Sequence, residues 1–216
     1  MTHFNTILSR GETESVINKS RFIGLACHVE SEADVERVLA RVRKAHYKAT
    51  HVCSAYILAT EPERQKASDD GEPSGTAGKP ILDVIARREL KNVLVLVVRY
   101  FGGIKLGAGG LIRAYAGAAN QVLDSVPTVR RQWCDTLRIT IDYTQYGGLR
   151  QKLSDQHQPH YQPVQERFAD TVALDFELPV EESEAFVAFI TEATNDRFSL
   201  EKGEPKWVNT LAGSPQ

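Results

Sequence analysis

Six consecutive apolar residues, Val93-Leu-Val-Leu-Val-Val98, stand between two segments dense in glycine, proline and charge. An apolar run of that length, rich in β-branched residues, reads as a central strand buried on both faces. Before it lies Ser68-Asp-Asp-Gly-Glu-Pro-Ser-Gly-Thr-Ala-Gly-Lys-Pro80, and after it Arg99-Tyr-Phe-Gly-Gly-Ile-Lys-Leu-Gly-Ala-Gly-Gly-Leu111. Glycine admits positive φ and close approach, while proline fixes φ near about −65°, so these are shaped loops rather than floppy ones. No packed core requires such segments. A buried strand flanked by them is a scaffold for a site, and the two loops are expected to meet on one face of the fold.

The rest of the first half supports an α+β arrangement. Glu12–Asn18 and Arg21–Glu30 read as strands, the second alternating Ile23, Leu25, Cys27 and Val29 onto one face. Ser31 is an N-cap candidate followed by Glu32, Asp34 and Glu36, and Val35, Val38, Leu39, Val42 and His46 recur at helical spacing. Val52–Leu58 is a third strand, and residues 60–78 are expected to form a long polar connection. A short helix is expected over 81–90, after Pro80, and a longer one from Gly109 to about Val126. Leu111, Tyr115, Ala118 and Val122 fall on the apolar side of that second helix, and Pro127 stops it. Downstream the rhythm changes to strand 135–142, helix 145–156, strands 161–168 and 171–178, helix 180–194 and strand 197–202. That order is the split βαβ, ferredoxin-like pattern. It places one domain over 1–130, a second over 134–207, and a fraying tail over 208–216.

Apolar residues at 42% and charged residues at 25% are ordinary for a globular protein. No stretch of 18 apolar residues occurs and no signal-peptide core stands at the N-terminus, so a cytoplasmic protein without a membrane partner is expected. Three cysteines, Cys27, Cys53 and Cys134, make an odd set without a CxxC pair, which fits a reducing compartment. Net charge is −2 overall, but residues 1–128 carry 17 Lys and Arg against 14 Asp and Glu, whereas the remainder carries 9 against 14. The asymmetry by itself reads as ordinary variation between two domains; an anionic partner, where there is one, would meet the first.

Several familiar chemistries are excluded by spacing. Gly78-Lys79 lacks both the earlier glycine of a P-loop, replaced by Pro73, and the following Ser or Thr, replaced by Pro80. The dinucleotide fingerprint fails at Ile112. The histidines, including His51-x-Cys53 and His157-x-x-His160, show no zinc-type pairing, and no nucleophile motif is present. Neither a metal nor another cofactor is expected. Gly107, Gly109 and Gly110 open a helix whose free N–H groups and dipole favour an anion, with Lys105 just before it; close packing of the helix on the sheet is an equally open reading. Asp69, Asp70 and Glu72 are read either as an acid or Mg²⁺ site or as turn-capping carboxylates.

Lys19-Ser-Arg-Phe-Ile23, Ser68–Pro80, Val97-Val-Arg-Tyr-Phe-Gly-Gly-Ile104 and Leu106-Gly-x-Gly-Gly-Leu111 together resemble the IMPACT family in its bacterial, YigZ-type two-domain form. The signature loop so marked comprises Ser68, Asp69, Asp70, Gly71, Glu72, Gly75, Thr76 and Gly78. The resemblance implies a first domain folded like the second domain of ribosomal protein S-five. It also implies a second domain like the fifth domain of elongation factor G. Eukaryotic relatives regulate translation by binding an activator of a translation-initiation kinase through an additional N-terminal domain. That domain is not expected here, which leaves transfer of the kinase-regulating role open.

The resulting expectation is a protein that binds RNA or the ribosome in translational control, with Lys79, Arg99, Lys105 and Arg113 as phosphate contacts. Arg21 joins them through the family motif, and Tyr100 and Phe101 are candidates for stacking on unpaired bases. Two rival readings stand beside it. One is a small-molecule kinase-like enzyme using Lys79 and Lys105 on phosphate and Asp69 or Asp70 on Mg²⁺. The other is a protein-binding adaptor.

Overall fold

A computed structural model describes residues 1–211. The chain divides into two compact units, one of residues 4–130 and one of Met1–His3 with residues 131–210. In chain order the elements are β1 (His3–Ile7), β2 (Gly11–Ile17), β3 (Ser20–His28), α1 (Glu32–Ala45), β4 (His51–Leu58), β5 (Arg64–Ser68), α2 (Gly78–Arg87), β6 (Val93–Tyr100) and α3 (Gly107–Asp124). They continue as β7 (Thr128–Ile141), α4 (Tyr143–Asp155), a 3-10 turn at Pro159–Tyr161, β8 (Gln165–Phe168), β9 (Val172–Pro179), α5 (Ser183–Thr194), β10 (Ser199–Lys202) and β11 (Lys206–Leu211).

The first unit is built around β6. Its sheet has the order β2-β3-β6-β4-β5, with every neighbour antiparallel. Because side chains alternate along a strand, Val93, Val95 and Val97 enter one core with α2 and α3. Leu94, Leu96 and Val98 enter the other, with Val35 and Val42 of α1. Helices cover both faces of the sheet, which is why the run is apolar without interruption. Ser31 caps α1 by accepting from the Asp34 N–H at 3.1 Å, and Leu111, Tyr115, Ala118 and Val122 form the buried side of α3.

Several boundaries differ from the sequence expectation. The connection over 60–78 contains β5, an exposed edge strand of Arg, Gln and Lys that carries no apolar alternation to announce it. Helix α2 begins at Gly78 and takes Pro80 into its first turn, where a missing N–H costs nothing. Helix α3 begins at Gly107.

In the second unit the antiparallel pairs β7·β9, β8·β9 and β7·β10 complete the split βαβ order. Leu137, Ile139, Leu149, Leu153, Leu174, Phe176, Phe186 and Ile190 fill its core. The two units divide between residues 130 and 131, inside the single strand Thr128–Ile141. The segment 161–168 divides into the 3-10 turn and β8. Residues Lys206–Leu211, expected to fray from 208, pair with β7 instead, and 212–216 lie outside the described residues. Met1–His3 groups with this unit, the Trp133 N–H donating to the Thr2 carbonyl at 2.7 Å.

Leu96 is fully buried at the centre of β6. Leu96→Ala should lower unfolding free energy by about 2–5 kcal/mol, whereas Val16→Ala, at a position 66% exposed, should change it by less than about 0.5 kcal/mol. Chemical denaturation of both variants checks the contrast; equal losses would show that β6 is not the centre of the core.

Candidate functional site

Strand β6 ends in the loop that leads to α3, and the signature loop leads to α2, both at one end of the first sheet. There a cavity of about 430 Å³ is lined by His51, Glu72, Arg99, Phe101, Lys105 and the α3 start at Leu106–Ala108, among others. The two glycine-rich loops therefore do meet on one face.

Asp69 and Asp70 organise the first loop. The Asp69 carboxylate accepts from the backbone N–H groups of Gly75 (2.9 Å), Ala77 (3.0 Å) and Gly78 (2.8 Å). It thereby caps the N-terminus of α2, a site where an anion is favoured by both free N–H groups and dipole. Asp70, at φ +44°, accepts from the Val52 N–H at 2.7 Å and from Arg43 at 2.8 Å. These are the turn-capping roles, and with the carboxylates so occupied the Mg²⁺ reading is not supported. Among the described residues no group of three His, Cys, Asp or Glu is placed to hold a metal ion.

The capping of α2 also changes the meaning of Gly78-Lys79. The N–H of Gly78 is already engaged by Asp69, and Lys79 points its ammonium to Asp83 one turn on. Neither lines the cavity.

Beneath the cavity lies a buried ion pair. Arg99 Nη1 donates to Glu72 Oε1 at 2.6 Å, and the Tyr115 hydroxyl donates to the same oxygen at 2.7 Å. The side chains of Arg99 and Glu72 are only 6% and 3% exposed. Arg99 Nη2 also reaches Ser20 Oγ at 3.3 Å, and the guanidinium carbon stands 5.4 Å from the ring centroids of both Phe22 and Phe101. Arg99 is thus a buried structural cation rather than a free one. Burial pushes the Tyr115 hydroxyl far up in pKa and the Cys53 thiol up to about 12, so both stay protonated at neutral pH.

Helix α3 meets the cavity differently from α2. No side chain caps it and its first turn contains no acid. Gly107 has φ +71°, a conformation that side chains strain to adopt. Lys105 is exposed at the rim. Arg113 is exposed on α3, its Nη1 lying 3.6 Å from where a Cβ on Gly109 would stand. The two aromatic candidates separate: Phe101 lines the cavity and is 47% exposed, whereas Tyr100 turns to the α1 side, where its hydroxyl pairs with His46 Nδ1 at 2.9 Å. Arg21 pairs with Glu14 at 2.7 Å in a strand-to-strand contact on the surface.

The sequence assigns no site role to His51, Tyr115 or Ser20. His51 and Ser20 are brought to Arg99 by strand pairing alone. Tyr115 is eight residues beyond Gly107 on the same helix and was legible only as apolar.

The model of the Impact N-terminal domain matches residues 18–123, which contain this entire site, and a domain of unknown function, DUF1949, matches 139–197. IMPACT family member YvyE of Bacillus subtilis (strain 168) is 41% identical over 201 residues, 92% of this chain and 90% of that protein. The chain belongs to the IMPACT family. Family member YigZ of Escherichia coli (strain K12) is 38% identical over 135 residues, 62% of this chain and 66% of that protein. Among solved structures, the crystal structure of a hypothetical protein superimposes with a TM-score of 0.61 at 29% identity, covering 94% of this chain and 98% of that one. No helix among the described residues is long and apolar enough to cross a membrane.

Desolvation alone would raise the Asp69 pKa, but its three backbone donors outweigh it and hold the group below the usual carboxylate range. A folded-state pKa below the unfolded one contributes stability that is full above about pH 4 and lost as pH falls through the folded value. Asp69→Asn should therefore destabilise at pH 7 by about 1–3 kcal/mol, with the gap to wild type narrowing at pH 3. Denaturation at the two pH values measures it, and a gap that does not narrow would refute the capping role.

Proposed function

We propose that this IMPACT-family protein is a cytoplasmic factor of translational control whose first unit binds RNA, free or in the ribosome. The observation that supports it is the uncapped start of α3 opening on a cavity beside Lys105. Free N–H groups, the positive dipole end and a mobile ammonium converge where a phosphate would sit. Gly107, Gly109 and Gly110 let backbone approach that phosphate, and Arg113 extends the positive surface along the helix. Phe101 offers an exposed ring at the rim for an unpaired base. Arg99 acts from below: paired with Glu72, it holds the loops and adds little net charge. Lys79 and Tyr100 belong to other surfaces in this reading. The likeness of the two units to the second domain of ribosomal protein S-five and the fifth domain of elongation factor G is part of the same proposal and gives it a translational setting.

The concave shape of the cavity favours a second reading, a small phosphorylated ligand, over a flat protein-binding adaptor surface. In its kinase-like form that reading needs Asp69 or Asp70 for a cation, and both carboxylates are engaged.

Ribosome co-sedimentation across a salt series tests the proposal. Lys105→Ala should weaken association at low salt and make the slope of log affinity against log salt shallower by about 0.7–0.9 for one lost phosphate contact. Thermal stability should stay within about 0.5 kcal/mol of wild type, as Lys105 is exposed. Undiminished ribosome binding by the Lys105→Ala/Arg113→Ala double variant would overturn the RNA-binding reading.

A further inference from the structure

We infer that the α3 cavity is a nucleotide site whose floor selects guanine, an inference that rests on the anion-binding reading of this cavity and specifies its ligand. The floor carries hydrogen-bonding capacity that the fold leaves unused. Glu72 spends Oε1 on both Arg99 and Tyr115, while its Oε2 accepts no hydrogen bond, although the side chain is only 3% exposed. Glu72 lines the cavity, so an oxygen to which the protein supplies no donor is open to a ligand there.

His51 stands beside it. Its Nδ1 lies 2.8 Å from the carbonyl of Asp70, and a carbonyl only accepts, so Nδ1 carries the proton. In the neutral ring Nε2 is then a bare acceptor, 3.8 Å from Glu72 Oε1. Glu72 and His51 both line the cavity, and two acceptors there call for a ligand with two donors. The opposite requirement holds at the rim, where Lys105 and the N–H groups of α3 call for an anion.

A ligand with a phosphate at one end and paired donors at the other is a guanine nucleotide. The guanine edge that pairs with cytosine carries the ring N1–H and the 2-amino group next to one another. Adenine and cytosine offer one donor beside a bare ring nitrogen, and uracil offers one donor between two carbonyls, so each would set an acceptor against Glu72 or His51. Phe101 supplies a ring face on which the base can stack. The volume of about 430 Å³ falls within the range of pockets that enclose small ligands, roughly 300–1,000 Å³.

Calorimetric titration of the full-length protein with GMP, IMP and AMP tests this without any variant. GMP should bind one per chain. IMP, which lacks the 2-amino group, should bind about tenfold more weakly, and AMP more weakly still, by about a hundredfold. Lys105→Ala should weaken all three by about tenfold through the phosphate. Glu72→Gln, which keeps the shape and one acceptor for Arg99 and Tyr115, should erase the preference for GMP over AMP. Equal affinity for GMP and AMP, or no binding of any of the three, overturns the guanine site. If the mononucleotides fail while ribosome binding still depends on Lys105, the RNA-binding reading stands and this inference falls. If GMP binds with the stated preference but Lys105→Ala leaves ribosome binding intact, the converse holds. Displacement of GMP by a 5′-phosphorylated oligonucleotide beginning with guanine assigns the site to an RNA end, and failure to displace assigns it to the free nucleotide; either result supports the guanine site.

Discussion

Glu72 and Arg99 are two opposite charges removed from water at the end of a strand that is otherwise entirely apolar. Desolvating them costs several kcal/mol each, and their attraction offsets that only where geometry is close and the remaining polar atoms are partnered. Here Arg99 Nη1 sits 2.6 Å from Glu72 Oε1, Tyr115 shares that oxygen and Ser20 takes Nη2, while Arg99 Nε is left without a partner and Glu72 Oε2 without a donor. The four residues come from the signature loop, β6, α3 and β3, so one ion pair ties together the elements that form the cavity. Removing either partner would strand the other charge, with a loss of about 3–5 kcal/mol typical of such buried pairs.

The two glycine-opened helices of this unit illustrate how a chain can close one anion site and leave another open. Both α2 and α3 begin with small residues and expose backbone N–H groups toward the same end of the sheet. At α2 the chain supplies its own anion, the Asp69 carboxylate, and the helix start becomes part of the scaffold. At α3 no acid stands in the first turn and no side chain caps it. The difference assigns structure to one helix start and ligand binding to the other. It also explains why Lys79, next to the closed site, pairs with Asp83 while Lys105 stands exposed at the open one.

Much of the fold was legible because burial writes a periodic signature. The stripe of Val35, Val38, Leu39 and Val42 announces α1, and the alternation of Leu137, Ile139 and Ile141 announces the core strand of the second unit. The elements missed are those without such a signature. Strand β5 reads Arg-Gln-Lys-Ala-Ser on an exposed edge. Strands β1 and β11 are short segments at the chain ends whose strand state depends on pairing with β7, a partner distant in sequence. Arg130, Arg131 and Gln132 likewise look polar, yet they lie within the strand Thr128–Ile141.

Local sequence was enough to establish that Val93–Val98 is a strand covered on both sides and that the glycine-rich segments flanking it are shaped loops brought to one end of it. Backbone sterics and side-chain alternation are properties of neighbouring residues, and they are readable wherever the pattern is regular. Which charges are free and which are consumed was decided only in three dimensions. Arg99 reads as a phosphate contact in the sequence, but folding sets Glu72, 27 residues earlier, against it. Asp69 and Asp70 read as turn caps or cation ligands, and the N–H donors that the fold brings to them make them caps. His51 reads in the sequence only as half of an unpaired His-x-Cys spacing, and strand pairing sets it opposite Arg99. A side chain's charge is written in the sequence, but its available hydrogen-bonding capacity depends on what folding places within about 3 Å of it.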